Sequence, residues 1–176
     1  MIRRGFTVVE LVITITVMGI LLTLAVVNLN ATQANGRDSE RKADAESIAT
    51  FLETFQSTKD SSIPYSGLSY PGTTGSTALT TSTISTILPG IPEVIARAPD
   101  VDNDQDISIV PATNALTTTV GVLPQPGAGN DVYVYQPLTA SGTLCADPGA
   151  GECRRFNLYY YQETTSSVQV VRSKAQ

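Results

Sequence analysis

Glu10 is the one ionisable side chain between Phe6 and Leu29, in a run that is otherwise mostly Val, Ile, Leu, Met, Ala and Thr. As a helix, this run would be about 36 Å long, which is enough to cross the hydrocarbon core of a bilayer. A single carboxylate is costly in lipid unless a cation reaches it. Cutting the chain before Phe6 would create such a cation, a new α-amino group.

A second set of groups with metal-binding chemistry consists of four alternating carboxylates, at Asp100, Asp102, Asp104 and Asp106. Like charges repel at this spacing, so the loop would gain from a hard cation such as Ca²⁺, which prefers oxygen ligands. The pattern is not an EF-hand loop, because Gln105 and Pro111 stand where that loop needs Gly and Glu. A calcium site and a solvated acidic turn are both open at this point.

The two cysteines, Cys145 and Cys153, are close in sequence. In an exported protein such a pair is expected to form a disulfide, which here would fix a surface loop around Pro148 and Gly149. A free thiol pair or a soft-metal site is the alternative, but the chain offers no other soft ligands nearby.

The composition argues against an enzyme. The sequence has no His, so Ser–His and Cys–His arrangements are impossible, and it has neither a P-loop nor a G-x-G-x-x-G motif. Without Arg3 and Arg4, the net charge of −5 becomes −7, and general nucleic-acid binding is not expected of so acidic a body. We therefore expect no cofactor apart from the calcium alternative.

One long helix is predicted to span both halves of the N-terminal region. Residues 6–29 form its apolar membrane-spanning half, and residues 30–57 form an amphipathic half. The apolar stripe of the second half contains Ala45, Ile48, Leu52 and Phe55, at the spacing of one helix face. Charged residues including Arg41 are assigned to the opposite side, and Gly36 is a point where the helix can bend.

The remainder is predicted to be a connecting region followed by a small sheet. Residues 58–130 are rich in Ser, Thr, Pro and Gly, and they include a short helix at 91–98 and a strand at 107–110. The Thr- and Ser-rich residues 73–86 are predicted to form an exposed loop with room for one short strand or turn of helix, and glycosylation or adhesive contact is the alternative. Residues 131–176 contain three segments with a period of two, at 131–138, 155–162 and 167–172, which predict antiparallel strands. The fold class is α+β, with the long N-terminal α-helix packed on a small C-terminal antiparallel β-sheet.

A basic leader is followed by Gly5, Phe6, Glu10 and a long apolar helix. This order resembles the class III signal of type IV prepilins and of their relatives, the pseudopilins of type II secretion. The resemblance implies that residues 1–5 are a leader, that a prepilin peptidase cuts between Gly5 and Phe6, and that Phe6 becomes N-methylated. It also implies that Glu10 pairs with the Phe6 amine of a neighbouring subunit. Gly19 matches a glycine where the family's helix often loses order in the filament.

The predicted function is therefore a structural subunit of a type IV pilus, used for adhesion, surface motility or DNA uptake. The expected partners are other pilin subunits, the prepilin peptidase, an assembly platform protein and its ATPase. The subunit would cross the cytoplasmic membrane once before it enters an extracellular filament. A pseudopilin of a type II secretion system and a monomeric membrane-anchored adhesin are the alternatives. A plain membrane anchor is a further interpretation of the N-terminal run, but it gives Glu10 no role.

Overall fold

The structure is a computed structural model that describes residues 6–74, 78–79, 83–99, 109–113, 127–149 and 153–174, with the backbone alone at 27 and 28. The helices and strands are α1 (Val8–Ser57), α2 (Ile84–Ile87), β1 (Ile109–Pro111), β2 (Tyr133–Leu138), β3 (Arg155–Gln162) and β4 (Ser167–Arg172). A long helix followed by a small four-stranded sheet confirms the predicted α+β class. The leader residues 1–5 and the acidic loop 100–106 lie outside the described residues.

The sheet has the order β1-β2-β3-β4. The pairs β2–β3 and β3–β4 are antiparallel, as predicted, and β3 and β4 have the predicted bounds. The prediction of a wholly antiparallel sheet is wrong at β1, which runs parallel to β2 with Ile109 opposite Tyr133. The connection from β1 to β2 is long enough for the crossover that a parallel pair requires.

The core lies between the second half of α1 and one face of the sheet. The predicted apolar stripe of α1 is buried. Phe156 and Leu158 of β3 are buried in the same core cluster, and the ring of Tyr70 meets that of Phe156 edge-on with centroids 5.0 Å apart. This half of the helix is therefore held by tertiary packing, whereas no comparable packing within the described chain holds the first half.

The connecting region contributes more to the core than predicted. The apolar side chains of this region that are buried in the core cluster include Leu79, Ile84, Ile87 and Leu88. The exposed-loop interpretation of residues 73–86 is therefore wrong at Leu79 and Ile84. Together with Ile87 and Leu88 they close the core beside the end of α1. The predicted helix at 91–98 is also wrong: this segment forms turns in which Ile95 N–H donates to Pro92 O at 3.0 Å. A segment this short, which starts at Pro92, forms too few helical hydrogen bonds to offset the free energy of helix nucleation.

Candidate functional site

The N-terminal end of α1 is fixed by Thr7. Thr7 has extended backbone angles (φ −83°, ψ 148°), and its hydroxyl accepts a hydrogen bond from Glu10 N–H at 3.3 Å. The Thr7 carbonyl accepts from Leu11 N–H at 3.2 Å, which starts the helical hydrogen-bond ladder. Thr7 is thus the N-cap, a role that was not predicted although the Thr-x-x-Glu spacing signals it.

This cap places Glu10 in the first turn of the helix. The helix dipole gives this end a partial positive charge, which favours a nearby carboxylate. Glu10 and Phe6 are both exposed, and Phe6 retains 82% of its side-chain surface. Because the helix starts at Val8, Phe6 lies just outside it, so an amine created at Phe6 would be free to reach another molecule.

In the apolar half of α1, every side chain that the structure describes is exposed. Within it lies an 18-residue window apolar enough to span a membrane, and none of that window is buried by the rest of the described chain. Large apolar side chains such as Leu11, Ile15 and Leu22 remain more than half exposed. A helix that is apolar all round requires lipid or other apolar helices as its surroundings.

The threonines of this half do not leave unsatisfied donors on its surface. Thr16 donates to Val12 O at 2.7 Å, Thr23 donates to Ile20 O at 2.8 Å, and Thr14 donates to Leu11 O at 2.8 Å. An unpaired hydroxyl would be costly in an apolar medium, whereas a hydroxyl bonded to its own helix is tolerated. These three threonines are therefore compatible with a dry environment.

A network of ion pairs, here called the ionic lock, joins α1 to the β3–β4 turn. It lies in the head, which we define as the sheet, the connecting region and the half of α1 that packs on them. Two nitrogens of Arg37 donate to the two Glu163 carboxylate oxygens, at 3.0 and 2.6 Å. Arg41, whose side chain is 1% exposed, lies 2.5 Å from the same carboxylate and also donates to Asn130 O at 3.0 Å. The prediction that Arg41 lies on the solvent side of the helix is therefore wrong, because Glu163 neutralises it in the interior.

Asp38 completes this lock from the helix side. Its carboxylate accepts from Glu163 N–H at 2.8 Å, from Thr164 N–H at 3.0 Å and from the Thr164 hydroxyl at 2.6 Å. Burial alone would raise the pKa of Asp38, but these hydrogen bonds outweigh burial and hold the pKa below its ordinary value. The hydrogen bonds from Arg37, together with those from Arg41, lower the pKa of Glu163 to about 2.

A second carboxylate on α1 behaves in the opposite way. Partial burial raises the pKa of Asp44 to about 6, although the Tyr133 hydroxyl donates to Asp44 at 3.2 Å, which lowers it. The nearby like charge of Glu40 adds to the rise. Burial and the Asp44 charge in turn raise the pKa of Tyr133. Asp44 is therefore a group of the head that takes up a proton in mildly acidic conditions.

The predicted disulfide between Cys145 and Cys153 is present, and both residues are buried. The bridged loop pairs with the segment that follows α1: Tyr70 N–H donates to Cys153 O at 2.9 Å, and Cys153 N–H donates to the Ser69 hydroxyl at 2.7 Å. Gly72 lies so close to the Ala146 carbonyl that a side chain there would collide with it. The bridge thus ties the connecting segment to the sheet.

The predicted calcium ligands lie in the segment 100–108, outside the described residues. Among the residues that the structure does describe, no group of three or more His, Cys, Asp or Glu side chains is arranged to hold a metal ion. Gly5, the residue on the leader side of the predicted cut, also lies outside the described part.

The comparisons with known proteins match the N-terminal chemistry. A family model described as the prokaryotic N-terminal methylation motif matches residues 1–26. Over 58 residues the chain is 39% identical to the type IV major pilin protein PilA of Myxococcus xanthus strain DK1622, a match that covers 33% of this chain. The match spans about a quarter (26%) of the length of that relative. No solved structure matches the chain.

Proposed function

The chain belongs to the type IV pilin family, and from that membership we propose that it is a structural subunit of a type IV pilus, processed before Phe6 and polymerised through α1. One observation carries the proposal. Glu10 lies in the first turn of a helix that is apolar up to Leu29 and exposed at every side chain that the structure describes in that run. The chain is a structural and not an enzymatic protein.

The first step of the proposal is processing. A prepilin peptidase cuts between Gly5 and Phe6, and the new amine of Phe6 is N-methylated, as the description of the matching motif suggests. The two positive charges of Arg3 and Arg4 precede the apolar run and favour a cytoplasmic location of the leader. The chain spans the cytoplasmic membrane once, both before and after this cut, with its head on the outer side.

The second step is polymerisation. Packed against copies of itself, the apolar half of α1 would bury the side chains that the single chain leaves exposed. A charged Glu10 in such a packed core is costly unless a partner neutralises it. The Phe6 amine of a neighbouring copy supplies that partner, so the ion pair selects the axial register of the subunits.

The remaining partners follow from this scheme. A subunit held in the membrane requires an assembly platform protein and an ATPase to extract it into a surface filament. A mature net charge of about −7 favours adhesion or motility over general nucleic-acid binding. The relative with matching sequence is named a major pilin, which supports a pilus subunit over a secretion pseudopilin.

Mass spectrometry of filaments sheared from cells tests the proposal. The expected N-terminal peptide begins at Phe6 and carries one added methyl group on its amine. Filaments composed of chains that retain Met1, or cells that produce the mature chain without any filament that contains it, would overturn the proposal.

A further inference from the structure

The helix α1 has a largely exposed neck between its two halves. We define the neck as residues 30–36, which follow the apolar run and precede Arg37, the residue that binds Glu163. Its side chains are uncharged, and all but one of its residues are exposed, with Ala34 partly buried. The neck is thus supported neither by a hydrophobic core nor by ion pairs of its own.

Gly36 is the last residue of the neck, and no packing contact requires a glycine there. A Cβ atom placed on Gly36 would meet nothing within 4 Å, so no neighbour excludes a side chain. A glycine in an exposed helix interior weakens the helix, because it has more freedom to lose and leaves its backbone open to water. Alanine at this position would fit and would strengthen the helix.

A second feature of the same turn also favours bending. The Ser39 hydroxyl donates to the carbonyl of Asn35 at 2.8 Å, across Gly36. A hydroxyl that bonds to the carbonyl four residues earlier competes with the helical hydrogen bond and often bends the helix. The same bond recurs at Thr16, Ser47 and Thr50, so this turn is distinguished by the coincidence of the bond with Gly36.

Bending is blocked immediately beyond this turn. Arg37, Asp38 and Arg41 are all bonded to Glu163 or its neighbours in the β3–β4 turn. The head, which includes the second half of α1, therefore moves as one body. On the membrane side of these bonds, the neck is the first segment in which α1 can change its angle to the head.

We propose that residues 30–36 are a hinge, centred on Gly36, through which the head reorients when a membrane-held subunit joins the filament. The hinge rests on the proposed function for its use. The angle of a single helix in a bilayer is set by lipid thickness and interfacial anchors, whereas in a filament it is set by neighbouring helices. The head has to satisfy its own contacts in both settings, and the neck supplies the change of angle.

The bending itself is measurable without filaments. Spin labels attached after Leu24→Cys and Ala43→Cys bracket the neck at two exposed positions, about 29 Å apart on a straight helix. In the full chain in detergent micelles, pulsed electron paramagnetic resonance should give a broad distance distribution that includes values shorter than this. Gly36→Ala should narrow the distribution, and adding Ala31→Gly to Gly36→Ala should broaden it again. Equal widths for the wild type and Gly36→Ala would overturn the hinge.

The use of the hinge is measured by counting surface filaments. Gly36→Ala should reduce them several-fold at an unchanged amount of mature subunit in the membrane, and the added Ala31→Gly should restore them. Thr50→Ala is the matched control, because it makes an equally exposed position of α1 more helical and should leave the number unchanged. Normal filament numbers with Gly36→Ala would contradict the role in assembly. A wild-type chain that forms no filaments would instead contradict the proposed function, and the label distances would still decide the hinge.

Discussion

Arg41 and Glu163 form an ion pair in the interior of the head, where the Arg41 Nη1 atom lies 2.5 Å from a Glu163 carboxylate oxygen. The Arg41 side chain is 1% exposed and the Glu163 side chain 16%. The pair joins α1 to the β3–β4 turn, and Arg37 and Asp38 extend it on either side. Removing one partner from such a pair leaves a buried charge without compensation.

Glu163→Gln should therefore destabilise the head. We expect a loss of about 3 kcal/mol in the free energy of unfolding, because Arg41 loses its counter-charge in the interior. Urea unfolding of the full chain in detergent measures this loss. Lys42→Gln is the control, because it breaks an exposed Lys42–Glu46 pair at 4.0 Å and should cost under about 0.5 kcal/mol. Equal effects of the two substitutions would show that the buried lock does not stabilise the head.

The same lock predicts sensitivity to acid. The folded-state pKa of Glu163 is lowered to about 2 from an ordinary value of 4.5, and that of Asp38 is lowered as well. A lowered carboxylate pKa contributes stability above its unfolded value, and that stability is lost as the pH falls through the folded value. The melting temperature should therefore fall between about pH 4.5 and pH 2. Glu163→Gln should remove part of this fall. If the melting temperature of that variant falls as steeply as that of the wild type between pH 4.5 and pH 2, Glu163 is not a source of the acid sensitivity.

Asp44 has the opposite effect in a neighbouring pH range: its contribution to the stability of the head falls as the pH rises. Its folded-state pKa is raised to about 6 from 3.8, so the folded head binds a proton more tightly than the unfolded chain. The stability that this proton contributes is present below about pH 4 and is lost as the pH rises through 6. Asp44→Asn should raise stability at pH 7 by about 1 kcal/mol, after allowance for solvent screening of this partly exposed group. Thermal melts at pH 4 and pH 7 check this, with Glu46→Gln as the exposed control. If Asp44→Asn were less stable than the wild type at pH 7, the prediction would be wrong.

The cap at Thr7 predicts a defect in assembly. Thr7→Val removes the hydroxyl that accepts from Glu10 N–H, which costs the helix about 1 kcal/mol and frays the turn that holds Glu10. Surface filaments should decrease several-fold while the chain is still cleaved and held in the membrane, and Thr7→Ser should restore them. Filament counts by electron microscopy, normalised to the mature subunit detected in membranes, give the result. Wild-type numbers for Thr7→Val would show that the cap does not position Glu10.

Local patterns predicted the helix and four strands, because the residues of one helix face or one strand face are close in sequence. The strand predicted at 107–110 is found at Ile109–Pro111. The burial of Ile48 and Leu52 followed from their spacing alone. The burial of Arg41 did not, since its partner Glu163 is distant in sequence and no local pattern pairs them. The parallel direction of β1 was missed for a similar reason: direction depends on the connection and not on the residues of the strand.

The candidate site was predictable to the same extent. Glu10 was identified because a lone carboxylate in an apolar run is costly without a cationic partner. Thr7 was missed although the Thr-x-x-Glu spacing was visible. The lock that fixes the head to α1, and with it the position of the neck, became evident only when distant segments were brought together.

The separation between the Glu10 carboxylate and the Phe6 amine of an adjacent copy tests the central claim most directly. Electron cryomicroscopy of filaments sheared from cells measures it. We predict that a carboxylate oxygen of Glu10 lies within about 4 Å of the Phe6 nitrogen of a neighbour, the distance of an ion pair. A filament in which no amine approaches Glu10, or in which the chain begins at Met1, would contradict the account.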